Sequence, residues 1–245
     1  MPGATNTKDL REKALVAMRS EKRIGPHFKP ALFIIDDDGT ATIQGEVDTI
    51  AVKRLALERL AATQGVSGIV DRLRIKPAMA MSDDGILDHL RKAYYDEPSF
   101  RQLSLKERKD SKVTLVRGAV DGARGEIEIE VKQGVVVLNG RVPGLASKRL
   151  AGVLAWWVPG SRDVINGIAV EPPEEDAPIQ IEEAVRIALE KDPLLDASQV
   201  RIGVRHQTIR LTGGVRSEAE RDAAGWDAWY VFGVDDVINE IEIGA

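Results

Sequence analysis

One segment pattern occurs three times in the chain, and segments that recur in this way build the same supersecondary unit each time. The pattern apolar-x-Gly-x-Val is found at residues 43–47, 138–142 and 211–215. In each copy a second glycine follows 20 residues after the first, and a β-branched residue follows ten residues after that. Apolar residues also recur in the columns between these points, without gaps. The chain is therefore predicted to hold three equivalent units rather than one large domain.

Each unit is predicted to run helix, strand, strand, helix, strand, and the third copy carries these signals most clearly. Ile181, Val185 and Ala188 recur at helical spacing, and alternating apolar and polar residues flank a turn at 205–208, as in a β-hairpin. Ser217 can cap the second helix. A strand-helix-strand connection within one sheet makes its two strands parallel. We therefore expect an α+β fold of three tandem α-β-β-α-β units, each a three-stranded mixed sheet with two helices on one face, at residues 8–76, 83–171 and 179–245.

The second copy is longer than the third because it carries a 22-residue insertion, placed within about residues 99–126. This segment holds seven Lys or Arg residues against four acidic residues. Basic residues near an anionic bilayer contribute about 1 kcal/mol each to binding. The candidate contacts for a lipid or a partner are Lys106, Arg108, Lys109 and Lys112. A solvated surface loop of mixed charge is the alternative.

Aromatic residues concentrate in the second helix of copies two and three, which carries six of the eleven. Trp156 and Trp229 share a column, and each has a glycine four residues earlier, Gly152 and Gly225. A glycine inside a helix costs about 0.5 to 1 kcal/mol relative to alanine, so another group is expected to approach that flank closely. Either copies two and three pack there, or the two tryptophans form an exposed contact for a membrane interface or a partner. Expected in the core are Trp157, Trp226 and Tyr230.

Nothing in the sequence has the pattern of a catalytic or metal centre. The chain has no cysteine, which excludes disulfides, thiol nucleophiles and cysteine zinc sites, and it has no nucleophile-elbow or P-loop motif. Its histidines, His27, His89 and His206, show no ligand spacing. Three aspartates at 36–38 could hold a hard cation, although a solvated hairpin turn fits them better. We expect no enzyme activity, no cofactor and no metal.

Charge is distributed unevenly along the chain, whose net charge is −5. Residues 1–82 carry +3, residues 83–171 carry +1 and residues 172–245 carry −9. The two ends are therefore expected to meet different partners, or each other. Nucleic acid is not expected among these partners, because aromatic residues do not alternate with the basic ones.

The sequence offers no membrane or export signal. No apolar run reaches the roughly 20 residues of a membrane-spanning helix. The first 13 residues lack the apolar core of a secretory signal. We expect a cytoplasmic protein, or a periplasmic one if a signal has been removed.

The repeated columns resemble the BON domain (bacterial OsmY and nodulation). The likeness rests on the α-β-β-α-β order, the apolar-x-Gly-x-Val hairpin, and Gly-Val-x-x-Val-x-Asn-x-Ile-x-Ile at residues 233–243. It extends over all three copies and implies a non-catalytic module of bacterial envelope and stress proteins, some of which bind anionic phospholipid. The expected function is a stress-associated binding module that recognises anionic phospholipid or a membrane-proximal protein partner. The alternatives are a soluble scaffold whose acidic third copy docks on a basic partner, and a sensor of small cations.

Overall fold

The structure is a computed structural model that describes residues 7–118 and 125–244. The chain forms two compact units, Met1–Lys76 and Pro77–Ala245. The described residues form six α-helices and three mixed sheets, which confirms the expected α+β class. Residues 119–124, which belong to the predicted insertion, lie outside the described residues.

The N-terminal unit is one small mixed sheet with two helices. Its elements are α1 (Thr7–Ser20), β1 (Leu32–Ile35), β2 (Thr40–Val47), α2 (Ile50–Ala61) and β3 (Gly68–Ile75). β1 pairs antiparallel with β2, and β2 pairs parallel with β3. The crossover helix α2 begins where the Thr49 hydroxyl accepts a hydrogen bond from the Val52 backbone N–H at 3.2 Å. The core lies between the helices and one face of the sheet, where Met18, Ile43 and Leu73 are fully buried.

The first part of the C-terminal unit holds the largest sheet. Its elements are α3 (Asp83–Asp96), a 3₁₀ turn (Pro98–Phe100), β4 (Leu103–Lys109), β5 (Lys112–Arg117), β6 (Gly125–Lys132), β7 (Val135–Val142), α4 (Leu145–Trp156), β8 (Asp163–Asn166) and β9 (Ala169–Val170). The strand order is β5-β4-β6-β7-β8, and β9 also pairs with β7. Antiparallel β6-β7 and parallel β7-β8 repeat the pairing of the N-terminal sheet.

The expectation of three strands is wrong for this middle sheet, because the insertion adds two more and the last strand is split. The inserted residues form the hairpin β4-β5, and β4 pairs parallel with β6 along the edge of the sheet. Leu103 and Leu105 of β4 are buried in the same core as Ile127 of β6. The insertion therefore extends the hydrophobic core, which its high charge concealed in the sequence.

The last part of the chain has the elements predicted for the third copy. They are α5 (Pro178–Lys191), a 3₁₀ turn (Ala197–Gln199), β10 (Val200–Arg205), β11 (Thr208–Val215), α6 (Glu218–Tyr230) and β12 (Asp236–Ile243). β10 is antiparallel and β12 parallel to the central β11. The Ser217 hydroxyl caps α6 by accepting from the Glu220 N–H at 3.2 Å, as predicted.

The three shared glycines lie at the same position of the second hairpin strand, but only two of them require glycine. Gly140 and Gly213 have φ angles of 114° and 119°. A Cβ at Gly140 would lie 2.2 Å from the Glu126 backbone oxygen of β6, and a Cβ at Gly213 would lie 2.0 Å from the Gln199 backbone oxygen just before β10. Gly45 lies outside the left-handed region, and a Cβ there would lie 3.1 Å from the Ala31 nitrogen. A side chain is therefore excluded at the later two positions by both conformation and space.

The mid-helix glycines are explained by an asparagine from the sheet of the same copy. In the third copy, Asn239 of β12 donates from Nδ2 to the Arg221 carbonyl of α6 at 2.7 Å, and its Oδ1 accepts from the Ile241 N–H at 3.2 Å. A Cβ at Gly225 would lie 2.9 Å from that Nδ2. The asparagine thus joins helix to strand through the space that glycine leaves open.

The middle copy has the same hydrogen bond between strand and helix, and the N-terminal unit has an ion pair in its place. Asn166 Nδ2 donates to the Lys148 carbonyl at 2.7 Å, and a Cβ at Gly152 would lie 3.1 Å from it. In the N-terminal unit an aspartate, Asp71, stands in this column and pairs with the Lys53 ammonium at 2.8 Å. The close approach predicted at the glycines is therefore real, but it comes from each unit's own sheet and not from a neighbouring copy or an external partner.

Candidate partner-binding surface

The three aspartates at 36–38 form a hairpin turn. Asp38 Oδ1 accepts from the Thr40 backbone N–H at 2.8 Å, and this hydrogen bond lowers the pKa of Asp38. Asp36 N donates to the Thr40 carbonyl at 2.9 Å and closes the turn. Across residues 7–118 and 125–244, no group of three or more His, Asp or Glu side chains is arranged to hold a metal ion. None of the helices in these ranges is long and apolar enough to cross a membrane.

Three of the four candidate basic residues, Lys106, Arg108 and Lys109, pair with carboxylates of the C-terminal unit. Lys106 pairs with Glu126 at 2.6 Å, across β4 and β6. Arg108 donates to both carboxylate oxygens of Glu128, at 2.7 and 3.0 Å, which raises the pKa of Arg108. These cross-strand pairs hold β4 against β6. The predicted basic patch is therefore closer to neutral than its count of Lys and Arg residues indicated.

Lys109 and Lys112 lie at the tip of the hairpin. The Lys109 ammonium pairs with Asp84 of α3 at 2.7 Å, and both side chains are mostly exposed. Lys112 is exposed at the start of β5. An exposed ion pair of this kind contributes little to stability, because solvent screens the two charges.

Two apolar side chains outside the predicted contacts are exposed on the same hairpin. Val113 and Leu115 of β5 are 42% and 60% exposed. In the β4-β5 register, Val113 stands opposite Arg108 and Leu115 opposite Lys106, so all four belong to the open face of the sheet. We call these four residues the hairpin surface. Val113 and Leu115 stand on either side of Thr114, and this two-residue spacing, which places both side chains on one face of a strand, was the signal that could have identified them.

Two of the four tryptophans, Trp156 and Trp157, contact residues of the third copy. Trp229 is 5% exposed, and Trp156 is partly buried and stacks on Tyr230 with ring centroids 5.6 Å apart. Trp229 is therefore a buried residue that offers little surface to a lipid or a partner. The prediction that Trp226 is a core residue is wrong, because its side chain is 45% exposed. Trp157 is partly buried and packs against the core of the middle sheet.

Two buried ionisable side chains lie in the same contact region. Arg149 of α4 is 1% exposed, donates from Nε to the Phe232 carbonyl at 2.9 Å, and forms a short ion pair with Asp176. Asp227 of α6 is also buried and accepts from Trp157 Nε1 at 2.8 Å. Burial raises the pKa of Asp227 to about 8, against the smaller opposing effect of the Trp157 hydrogen bond.

The family model described as "BON domain" matches residues 113–172 and 180–245, just over half of the chain. The chain belongs to the BON domain family. Both matched segments lie in the C-terminal unit, and BON domains are generally non-catalytic binding modules of envelope and stress-associated proteins.

No curated protein matches this BON chain. Two solved structures of CdsD, a structural protein of the Type III secretion system of Chlamydia trachomatis, resemble it at 13% sequence identity and a TM-score of 0.25. The first is the C-terminal domain of CdsD, and the match covers 98% of this chain and 100% of that one. The second match covers 96% of this chain and 92% of that one.

Proposed function

We propose that this BON protein is a non-catalytic binding module of the bacterial envelope or of stress responses, and that its hairpin surface recognises a protein partner at or near the membrane. The observation that carries the proposal is the exposure of Val113 and Leu115 on an edge strand, beside charges that are already paired. Apolar side chains surrounded by polar groups are typical of a protein interface, in which a few buried contacts supply most of the affinity.

We further propose that the N-terminal unit is a third BON copy. It has the same order of elements and the same antiparallel and parallel pairings as the matched segments. Gly45 also lies at the same strand position as Gly140 and Gly213. Three copies give the protein three related surfaces, and the different charges of the segments suit them to different partners.

Anionic phospholipid is the second candidate ligand, supported by the hairpin tip. Lys109 and Lys112 are exposed, and the Lys109–Asp84 pair is weak enough for a phosphate group to replace the carboxylate. Lys106 and Arg108 support this candidate less, because each is bound to a glutamate on the neighbouring strand. Contact with lipid headgroups would therefore depend on the tip and weaken strongly with salt.

Capture of partners by the tagged full-length chain tests the hairpin surface. We expect the double variant Val113→Ser and Leu115→Ser to lose about tenfold or more of the capture of a specific protein from an envelope fraction, because the apolar contact is removed. The matched control is Ile179→Ser with Leu194→Ser, which removes two exposed apolar side chains elsewhere in the same unit. Mass spectrometry of the captured proteins gives the readout.

A parallel flotation assay with phosphatidylglycerol vesicles distinguishes lipid recognition from recognition of a protein partner. Equal capture by the hairpin variant and the control variant would contradict a partner site at the hairpin. Flotation at low salt that is lost in Lys109→Gln with Lys112→Gln, but retained in the serine double variant, would favour lipid recognition instead.

A further inference from the structure

The outer edge of β1 is a candidate site that belongs to the N-terminal unit. Among the described residues, β1 has β2 as its strand neighbour on one side, and a groove of about 580 Å³ runs along β1 beside α1. The groove is lined by β1 itself and by four basic residues, Lys8, Arg11, Arg19 and Lys29. None of the described residues that line it is an aspartate or a glutamate.

The strand register shows which backbone groups face this groove. Asp36 N donates to the Thr40 carbonyl at 2.9 Å, so Asp36 directs its backbone toward β2. Alternate residues of an antiparallel strand point their N–H and C=O groups to opposite sides, and Phe33 and Ile35 therefore point theirs outward. Arg11 Nε of α1 donates to the Phe33 carbonyl at 2.7 Å, which agrees with an outward direction of that carbonyl, away from β2.

The middle copy shows what such an edge can hold. There β6 takes the place of β1 as the first hairpin strand, and β4 pairs with its outer edge from Leu103–Gly125 to Arg108–Glu130. Opposite charges across β4 and β6 accompany the backbone pairing. In this copy the chain itself thus supplies an extra extended strand together with its charge partners.

We propose that the β1 edge binds an extended acidic segment of a partner protein, which adds to β1 as β4 adds to β6. Unpaired edge groups form backbone hydrogen bonds with an incoming strand, and this pairing supplies affinity in many peptide complexes. The four cations select carboxylates at alternate positions of the segment, and its arrival frees Arg11 from the Phe33 carbonyl to pair with one of them. This site lies in the N-terminal unit, so it stands whether or not the hairpin surface binds a partner.

The probe is a blocked peptide of alternating glutamate and valine, titrated at low salt into the full-length chain. We expect saturable binding by calorimetry and at least about tenfold slower amide hydrogen exchange at Phe33 and Ile35, since these N–H groups would enter the new pairing. The same peptide N-methylated at every second residue should not bind. Replacing every glutamate of the peptide with lysine should also abolish binding.

Protein variants test the groove. Lys8→Gln, Arg19→Gln and Lys29→Gln together should weaken binding about tenfold, whereas the control set Lys22→Gln, Arg72→Gln and Lys76→Gln should change it less than about twofold. Absence of binding by the glutamate-valine peptide would overturn the proposal. Binding without protection of Phe33 and Ile35, or equal losses in the two variant sets, would also overturn it. Neither result bears on the serine variants of the hairpin surface.

Discussion

Replacing Arg149 with alanine is expected to lower the free energy of unfolding of the C-terminal unit by about 3 to 5 kcal/mol. The guanidinium is almost fully buried between α4 and the segment after α6, where it is bound to the Phe232 carbonyl and to Asp176. Truncation leaves that carbonyl and that carboxylate without their donor and also removes the packed stem of the side chain. The second and third copies should therefore separate more readily.

Urea denaturation followed by tryptophan fluorescence measures this effect in the right unit, because all four tryptophans lie between residues 156 and 229. Arg141→Ala is the matched control, since Arg141 forms an exposed pair with Glu171 at 3.6 Å. That variant should change the free energy of unfolding by less than about 1 kcal/mol. Arg149→Met retains much of the side-chain volume, so comparing it with the alanine variant separates lost packing from lost polar contacts. Similar stability of Arg149→Ala and Arg141→Ala would contradict the structural role of Arg149.

Asp227→Asn is expected to stabilise the C-terminal unit by about 2 to 4 kcal/mol at about pH 9 and by about 1 kcal/mol or less at about pH 5. Burial, together with a smaller contribution from the nearby Asp192, raises the pKa of Asp227 to about 8. The folded state therefore binds this proton more tightly than the unfolded state, whose pKa is near the ordinary value of about 4. The contribution of Asp227 to stability is present at low pH and falls as the pH rises from about 4 to about 8.

The asparagine variant keeps an oxygen to accept from Trp157 Nε1 and has no charge to bury. Denaturation at about pH 5, 7 and 9 should show its advantage growing with pH. Asp222→Asn provides the control on the same helix, because the Asp222 carboxylate is far more exposed. A constant difference between Asp227→Asn and the unmodified chain at all three pH values would show that Asp227 does not titrate in this range.

The features that the sequence predicted correctly depend on local patterns. The hairpin of the third copy follows from the alternation of Ile209 and Leu211 with polar residues, and both side chains are fully buried. Ser217 caps its helix through a backbone contact three residues away. Such signals depend only on residues that are close in sequence, so they can be recognised without knowing how the chain packs.

The missed features depend on contacts between distant segments. The inserted strand β4 pairs with β6 some 20 residues further on, and its charged residues concealed Leu103 and Leu105. Gly225 indicated a close approach, but the group that approaches it is Asn239, which only the folded sheet identifies. Trp226 lies on the predicted apolar face of α6, yet the packing of the copies leaves it exposed.

The sequence predicted the candidate surface only in part, because this surface also depends on contacts between distant segments. The insertion and its basic residues were identified from the length difference between copies. The pairing of Lys106 and Arg108 with glutamates of β6 could not be identified, because the strand register decides it. Because those two cations are paired, the exposed side chains of Val113 and Leu115 are the stronger candidates for contact with a partner.

Photo-crosslinking in cells tests the role of the hairpin surface most directly. A photo-crosslinking phenylalanine derivative in place of Leu115 is expected to give one discrete protein adduct after irradiation, since Leu115 is 60% exposed at the centre of the proposed contact. The same derivative in place of Leu194, which is also highly exposed, should not give that adduct. Absence of a protein adduct at Leu115, or the same adducts at both positions, would contradict partner recognition by the hairpin surface.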